Sequence, residues 1–434
     1  MTKTVYSAFS ADVLHDGHIN ILNTAAQYGD VVVGLLSDEV ISEYKRPPLL
    51  DYSSRVKLFE SFRAVSKVVK QDSLSFKTIL EELRPDYVIH GDDWRTGFQS
   101  SIRQEVIELL SKWGGELIEV PYTKDVSSTK LEEGLRSYYR DPDARRGMLR
   151  KLLKIKPCLR IMESSNGLSG LIVEETKIID SSTGKASSFD GMWVSSLCDS
   201  TFKGKPDIEL VDFTSRLNTI SEIMEVTTKP IILDGDTGGR IEHFAHNIKT
   251  LERIGVSMVI IEDKTGLKQN SLFGTEVAQV QEDPKIFAAK IKAGKQAQST
   301  RDLMICSRIE SLIAGQDVPD AINRAKHYIE DGGADAVMIH SKEKDGSDVF
   351  EFLEDFRDIY PHVPVVLVPT SYNQFTEDEL SARGANIVIY ANHLLRAAYP
   401  AMLSAATTIL ETGRSKEVDD LCLPIKEIIS LIKD

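Results

Sequence analysis

After Pro157 the chain carries a regular repeat of short apolar segments, and this repeat constrains the fold more than any other feature. Each segment is long enough for a buried strand and is followed by enough residues for a helix. Parallel strands that are covered by helices on both faces read as continuous apolar runs of this kind. Eight such units predict a (β/α)8 barrel in an α/β protein. The predicted strands are 160–163, 192–195, 231–234, 259–262, 304–307, 336–340, 365–368 and 387–390.

Polar residues directly follow at least six of these predicted strands. In (β/α)8 enzymes the chemistry takes place just past the C-terminal ends of the strands. Polar residues also begin loops in any α/β fold, but six sets in register, mostly chargeable or hydroxylated, favour a catalytic barrel mouth. The sets are Ser195 and Ser196, Asp234 and Asp236, Glu262 with Asp263 and Lys264, Arg308 and Glu310, His340 and Ser341, and Thr370 and Ser371.

Carboxylates in this part of the chain indicate a metal site. Asp234 and Asp236 alternate within LDGDTGG, where glycines permit a tight turn and the close approach of a ligand. Asp207 and Glu262 add two more acidic groups. Carboxylates around one polar crevice repel one another unless a cation neutralises them, and a hard ion held partly through water, Mg²⁺ above all, fits this set best. A purely structural acidic cluster is the alternative, although a barrel mouth is a poor place for one.

Cationic and amide side chains near the same strand ends indicate an anionic substrate. Arg308 is suited to clamp a carboxylate or a phosphoryl group, and Glu310 follows on the same side of the strand to orient it. Lys268 and Asn270 lie in a polar, glycine-containing segment that is typical of a mobile lid. The residues alone therefore predict a Mg²⁺ enzyme for a small, doubly anionic substrate, without saying which one.

The segment EDKTGLKQNS, residues 262–271, resembles the fingerprint of phosphoenolpyruvate mutases in the isocitrate lyase superfamily. The strings MWVSSL, KPDIE, LDGDTGG and SRIE resemble further motifs and occur in the family's order, whereas the KKCGH loop of isocitrate lyases is absent. The resemblance implies interconversion of phosphoenolpyruvate and phosphonopyruvate. Hydrolysis of phosphonopyruvate and carbon–carbon bond cleavage, both found in the superfamily, are the alternatives.

The same resemblance implies roles for individual residues. Asp234 would hold Mg²⁺ directly. Asp207, Asp236 and Glu262 would hold it mostly through waters. Asn270 would hold the phosphoryl group and exclude water, which separates a mutase from a hydrolase. The other implied substrate residues are Arg308, Glu310 and His340 for the anionic ends, Trp193, Ser195, Ser196 and Leu197 for the pyruvyl group, and Lys268 and Ser271 in the gating loop.

Residues 1–135 show a second alternation of apolar and helical segments, with strands predicted at 4–9, 31–36, 67–70, 87–90 and 116–120. This order predicts a parallel, Rossmann-like sheet covered by helices on both faces. His15 and His18 follow the first strand at i,i+3 spacing, so both rings can face one ligand beside a helix N-terminus that is suited to phosphate. A histidine pair of this spacing alone fits a surface or metal-binding role equally well.

The string HDGH at 15–18 resembles the HxGH motif of nucleotidyltransferases, and the domain is similar to the glycerol-3-phosphate cytidylyltransferase group. HGDDW at 90–94 and VSSTK at 126–130 resemble further motifs. The resemblance implies that CTP is the nucleotide and that His15 and His18 stabilise charge on the transferring phosphoryl group. The implied nucleotide-binding residues are Ser10, Asp12, Lys45, Arg55, Arg63, Asp93, Trp94, Ser127, Ser128 and Thr129.

Two positions depart from that pattern, since Phe9 replaces a family glycine and Tyr122 replaces an arginine. A different acceptor, a weakened activity and a non-catalytic domain that senses nucleotide therefore stay open. The order of the two modules resembles the bifunctional enzymes of fosfomycin biosynthesis, an antibiotic pathway. This implies a small phosphonate acceptor, with 2-hydroxyethylphosphonate preferred and 2-aminoethylphosphonate as the main competitor.

The Arg- and Lys-rich stretch 136–156 is predicted to be a linker or docking helix between domains 1–135 and 157–434. The net charge of −14 argues against nucleic acid and anionic membranes as partners. The N-terminus lacks the order of a signal peptide, and four dispersed cysteines predict reduced thiols in a cytoplasmic protein. The superfamily implies a homo-oligomer. A regulator with decayed sites is disfavoured because every expected barrel ligand is present.

Overall fold

The computed structural model describes residues 2–95, 99–121, 134, 137–180, 185–265 and 280–432. These residues form two α/β domains, as the two alternating patterns predict. A parallel sheet in the N-terminal domain is followed by a closed barrel of eight strands. Among the described residues, no helix combines the length and the apolar character needed to cross a membrane.

The N-terminal domain is built on a parallel sheet whose five predicted strands are confirmed, each within two residues at either end. Alternate residues of the first two strands enter the apolar cores on opposite faces of the sheet, Val5 and Val31 on one and Tyr6 and Val32 on the other. The strands are β1 (Thr4–Phe9), β2 (Asp30–Leu36), β3 (Val65–Gln71), β4 (Tyr87–Gly91) and β5 (Glu116–Val120), in the spatial order β3-β2-β1-β4-β5. The helices are α1 (Asp16–Ala25), α2 (Asp38–Tyr44), α3 (Tyr52–Glu60), α4 (Lys77–Leu83) and α5 (Gln99–Ser111).

The predicted (β/α)8 barrel is also confirmed, and all eight predicted strands are present. All neighbouring strands of the barrel pair in parallel. In chain order the strands are β6 (Leu159–Glu163), a separate hairpin of β7 (Lys177–Ile179) and β8 (Ala186–Ser188), β9 (Gly191–Val194), β10 (Ile231–Asp234), β11 (Met258–Glu262), β12 (Met304–Ile309), β13 (Ala336–Ile339), β14 (Val365–Leu367) and β15 (Ile387–Tyr390).

Most helices of this part of the chain surround the barrel and bury apolar residues against the outer side of the strands, where one large core cluster lies. The helices are α6 (Pro142–Ile155), α7 (Gly167–Glu175), α8 (Ser196–Phe202), α9 (Phe213–Val226), α10 (Ile241–Ile254), α11 (Pro284–Ala297), α12 (Val318–Lys326), α13 (Ser347–Ile359), α14 (Glu377–Ala382), α15 (His393–Thr412) and α16 (Ile425–Ser430). Helix α6 packs against the cluster inside the barrel, and within the described chain α15 and α16 contain no buried residue.

Residues 136–156 were predicted to be a linker or a docking helix, and helix α6 occupies most of this stretch. Leu149 and Leu152 of this helix are buried in the cluster that fills the inside of the barrel. Arg145 and Arg146 are buried as well, because their guanidinium groups donate to the backbone carbonyls of the chain segments that precede strands β10 and β11. The basic stretch is therefore a helix that closes the N-terminal end of the barrel.

Candidate active sites

A small cavity opens at the C-terminal ends of the barrel strands, where (β/α)8 enzymes hold their substrates. Its volume is about 70 Å³. It collects most of the residues predicted for the barrel site, because polar residues that follow parallel strands meet at one end of the sheet. The described lining residues are Trp193, Ser195, Ser196, Leu197, Asp207, Asp234, Arg308, Met338, His340, Val368, Thr370, Ala391 and Asn392.

Asp234 ends β10 and is held rigidly at this cavity. Its Oδ2 accepts hydrogen bonds from the backbone N–H and the hydroxyl of Ser196, at 3.2 and 2.8 Å. Its Oδ1 accepts from the backbone N–H of Asp236 at 3.2 Å. Asp207 lines the same cavity. The sequence prediction that these two carboxylates share one site therefore agrees with their positions.

Asp236 and Glu262 form ion pairs with arginine and lysine side chains. These pairs correct the expectation that repulsion between the carboxylates requires a metal ion. Asp236 Oδ2 lies 2.5 Å from Nη1 of Arg216, and both side chains are buried. Glu262 lies 3.3 Å from Arg308 and 3.6 Å from Lys264. Because these side chains already neutralise the two carboxylates, their charge does not by itself require a metal ion.

Arg308, Glu310 and His340 form one buried group at the cavity wall. Glu310 accepts from Arg308 Nε, as the two-residue spacing on β12 predicts, and lies behind it rather than in the lining. Burial opposes charge on Arg308, but Glu310 and Glu262 outweigh it and raise the pKa of the guanidinium. Arg308 is therefore a fixed cation suited to an anionic substrate.

His340 is neutral, since burial and then Arg308 lower its pKa. Arg308 Nη2 lies 3.0 Å from His340 Nδ1 and can only donate, so Nδ1 accepts and the ring proton lies on Nε2. This Nε2 is buried and has no hydrogen-bond partner among the described residues. His340 thus offers one N–H donor to a ligand in the cavity that it lines.

Asp263 lies behind this group; it belonged to the strand-end pattern but not to the predicted site residues. It is fully buried and accepts hydrogen bonds from Tyr328 Oη at 2.6 Å, the Glu310 backbone N–H at 3.0 Å and Gln281 Nε2 at 3.1 Å. Gln281 pairs with Lys264 across an isolated antiparallel bridge. Asp263 therefore links Glu310 to Gln281, and it holds together the chain segments that precede residue 266 and follow residue 279.

Two polar lining residues, Thr370 and Asn392, were missing from the predicted site set, although Thr370 belonged to the strand-end pattern. Asn392 stands at the N-cap of α15 but forms no capping bond, and Glu163 accepts from the backbone N–H of Leu395 at 2.7 Å instead. Asn392 Oδ1 and the indole Nε1 of Trp193 are buried without a hydrogen-bond partner in the described chain. Buried polar atoms of this kind are ordinarily satisfied, so both fit contacts to a ligand.

The donors around the cavity fit Mg²⁺ in one particular way. The described residues contain no group of three or more His, Cys, Asp or Glu side chains that could hold a metal ion together. Mg²⁺, however, usually keeps several waters and is held by one or two carboxylates. Asp234 and Asp207 on one polar cavity match that mode of binding.

The N-terminal domain holds a larger pocket of about 330 Å³ between β1 and β4, where the strand order of the sheet reverses. Ligands of open α/β sheets bind at this position. Ile89, His90 and Gly91 form one wall, and the start of α1 forms another. The predicted residues that line the pocket are Ser10, Asp12, His15, His18, Lys45, Asp93 and Trp94.

His15 and His18 face each other at the start of α1, with ring centroids 3.9 Å apart. His15 Nδ1 accepts from the Gly17 backbone N–H at 3.1 Å, and His18 Nδ1 accepts from the His15 backbone N–H at 3.3 Å. Burial lowers the pKa of His15, and burial with His15 and Lys45 lowers that of His18 to about 3. Both rings are therefore neutral and carry their proton on Nε2.

Arg55 and Arg63 lie outside the lining of this pocket, so the structure does not bring them together with the other predicted nucleotide-binding residues. The Arg55 side chain is fully buried and donates to the backbone carbonyls of Ser10 at 2.6 Å and Leu36 at 2.9 Å. It thus supports the pocket loop from behind, whereas Arg63 is exposed. The predicted residues Ser127, Ser128, Thr129, Lys268, Asn270 and Ser271 lie outside the described residues.

Both domains match known families. A family model described as phosphoenolpyruvate phosphomutase matches residues 149–410, and one described as cytidylyltransferase-like matches residues 10–134. The phosphoenolpyruvate phosphomutase of Tetrahymena pyriformis is 34% identical over 305 residues, which cover 69% of this chain and 95% of that protein. The bifunctional protein HldE of Alcanivorax borkumensis is 30% identical over 138 residues, 31% of this chain and 28% of the relative.

Solved structures resemble the barrel part of the chain. The phosphoenolpyruvate phosphomutase from Streptomyces platensis subsp. rosaceus has a TM-score of 0.59 at 34% identity and covers 65% of this chain and 93% of its own. A phosphonopyruvate hydrolase in complex with oxalate and Mg²⁺ has a TM-score of 0.55 at 32% identity and covers 63% and 89%. Overall similarity therefore does not separate a mutase from a hydrolase.

Proposed function

We propose that this chain, which belongs to the phosphoenolpyruvate phosphomutase family, is a bifunctional enzyme of phosphonate biosynthesis. Its barrel interconverts phosphoenolpyruvate and phosphonopyruvate with Mg²⁺, and its cytidylyltransferase-like domain transfers a cytidylyl group from CTP to a small phosphonate. The observation that carries the first activity is the cavity on which Asp234, Arg308 and His340 meet. The proposal places both reactions in the cytoplasm.

In the barrel reaction the phosphoryl group leaves the enol oxygen of phosphoenolpyruvate and bonds to carbon 3, so that a P–O bond is exchanged for a P–C bond. A loose phosphoryl transfer needs positioning and neutralisation of charge more than covalent help. Arg308 and the Nε2–H of His340 bind the anionic ends, and Trp193 donates its indole N–H. Asp234 would hold Mg²⁺ directly, and Asp207, Asp236 and Glu262 would hold it through water. The ion would supply Lewis-acid stabilisation of negative oxygen.

Phosphorus NMR of the protein with Mg²⁺ and phosphonopyruvate tests this assignment. Appearance of phosphoenolpyruvate means mutase, whereas inorganic phosphate means hydrolase and overturns the proposal. Asn270, which the family resemblance implies to exclude water, provides a second test. Asn270→Ala should lower mutase turnover by orders of magnitude with the fold intact, and near-normal turnover would contradict its role.

For the N-terminal domain, the supporting observation is the pair of neutral histidines beside Lys45 in a pocket at the sheet's switch point. Their Nε2–H groups would donate to the α-phosphoryl oxygens as pyrophosphate leaves. We prefer 2-hydroxyethylphosphonate as the acceptor, with 2-aminoethylphosphonate as its competitor. Incubation with CTP and each phosphonate should release pyrophosphate with one of them, and His18→Ala should abolish the release. No release with either compound would indicate a non-catalytic domain.

A further inference from the structure

Arg46 leaves the N-terminal domain and ends on the barrel. Its Nη2 lies 2.5 and 2.7 Å from the two carboxylate oxygens of Glu174, and its Nε donates to Thr228 Oγ1 at 2.7 Å. Glu174 is fixed in turn by the Thr227 hydroxyl at 2.7 Å. The Arg46 and Glu174 side chains are only 17% and 20% exposed, so water screens their attraction less than it screens a surface pair.

The barrel holds the residues around Arg46 as well. Lys156, which lies between α6 and β6, forms an ion pair with Glu43 at 3.0 Å. Lys151 of α6 donates to the backbone carbonyl of Pro48. Leu49 packs against the apolar cluster inside the barrel. The segment 43–49 is thus anchored to the barrel at several successive positions.

The opposite side of this segment belongs to the nucleotide pocket. Tyr44 and Lys45 line the pocket, and Lys45 is the one lysine or arginine among its described lining residues. Lys45 has an extended backbone, with φ −133° and ψ −176°. Because successive side chains of an extended chain point to opposite sides, holding Arg46 on the barrel turns Lys45 toward the pocket. Asp12, another lining residue, accepts from the backbone N–H of Leu49.

We propose that the barrel is a working part of the nucleotidyl-transfer site, because Glu174 holds Arg46 and thereby positions Lys45 for the triphosphate of CTP. Arg46 and Glu174 are positioning residues, since neither lines the pocket. The inference rests on the proposed use of CTP by the N-terminal domain. It gives the fusion of the two modules a structural purpose that is independent of any transfer of intermediates.

The test compares Arg46→Ala, Glu174→Gln and Arg46→Lys with the unaltered full-length protein. We expect Arg46→Ala and Glu174→Gln to raise the KM for CTP about tenfold, which corresponds to about 1.4 kcal/mol of lost binding, while kcat changes less. Arg46→Lys keeps the charge that faces Glu174 and should recover most of the affinity. Lys45→Ala should raise the KM for CTP at least as much, again with a smaller change in kcat. Mutase turnover should stay within about twofold of normal, because this contact lies far from the barrel mouth.

Arg414→Ala is the matched control, because Arg414 forms an exposed ion pair with Glu417 in the C-terminal tail. It should leave the KM for CTP unchanged. Normal KM values in both Arg46→Ala and Glu174→Gln would overturn the inference. If the unaltered protein releases no pyrophosphate, the proposed activity fails by itself. Calorimetric titration with CTP then decides the positioning role, since unchanged Kd values in the two variants would exclude it.

Discussion

Asn392 shows how an N-cap residue that makes no capping hydrogen bond can indicate a binding site. An asparagine at a helix N-cap ordinarily accepts a hydrogen bond from the first turn, but Glu163 takes that place on α15. Asn392→Ala should therefore leave α15 intact and remove a hydrogen-bond acceptor from the cavity. We expect kcat/KM of the mutase reaction to fall about tenfold, the cost of one buried hydrogen bond to the bound ligand or its water.

Asn166 provides the matched control, because it caps α7 and accepts from the backbone N–H of Ser169 at 2.9 Å. Asn166→Ala should lower the free energy of unfolding by about 1 kcal/mol and leave the mutase kinetics near normal. The two asparagines thus separate a capping role from a binding role. Normal kinetics together with a loss of stability in Asn392→Ala would contradict this interpretation.

His18 predicts a pH dependence of stability. Burial, with smaller effects of His15 and Lys45, lowers its pKa to about 3, whereas an unfolded histidine titrates near ~6.5. Between these values the unfolded chain binds a proton that the folded domain excludes. The stabilisation is complete above pH ~6.5 and is lost as the pH falls toward 3. In urea unfolding at several pH values, His18→Asn should reduce the slope by up to about 1.4 kcal/mol per pH unit. An unchanged slope would mean that His18 titrates normally in the folded domain.

Helix α6 makes the domain boundary testable at the scale of one element. Leu149 is fully buried against the barrel interior, whereas Lys154 on the same helix is exposed. Leu149→Ala should lower the free energy of unfolding by about 2–5 kcal/mol, as for other buried leucines. Lys154→Ala should change it by less than about 0.5 kcal/mol. Chemical denaturation of the full chain measures both, and equal small effects would restore the linker interpretation.

The elements show which parts of the fold a sequence can predict. The barrel strands were predicted to within a residue or two because parallel strands that are buried on both faces leave unbroken apolar runs. The choice between a linker and a docking helix at α6 stayed open because Arg145 and Arg146 look solvated in the sequence. Their burial depends on carbonyls of Thr227 and Glu252, which are distant along the chain.

In the candidate site, too, some residues could be predicted from the sequence and others could not. Residues that follow strands directly, such as Asp234 and His340, could be predicted because the topology alone brings them to one edge. The partner of Asp236 could not, because Arg216 lies on α9 and no spacing rule connects the two. The sequence therefore suggested that Asp236 needed a metal ion, when a guanidinium group already neutralises it.

At the scale of the whole molecule, α15 points to self-association. It runs from His393 to Thr412, and none of its residues is buried in the described chain. Leu403 and Leu410 are exposed. Exposed apolar surface of this extent ordinarily marks an interface. We expect a homo-oligomer in light scattering, and Leu403→Glu with Leu410→Glu should dissociate it. Glu411→Gln on the same helix should not, and a monomeric unaltered protein would contradict the expectation.

The barrel cavity and the contact with the N-terminal domain lie at opposite ends of the barrel. Asp234 and Arg308 stand at the C-terminal ends of the strands, whereas the N-terminal domain is anchored by Glu174 and Thr228 at the other end. The reactions should therefore be separable by mutation. Arg308→Lys keeps a cation but loses the planar fork, so mutase turnover should fall at least about 100-fold. Cytidylyl transfer should stay within about twofold, and His18→Ala should give the reverse pattern. Phosphorus NMR and pyrophosphate release on the same preparations measure both activities, and a parallel loss in either variant would show that the sites are coupled through the barrel.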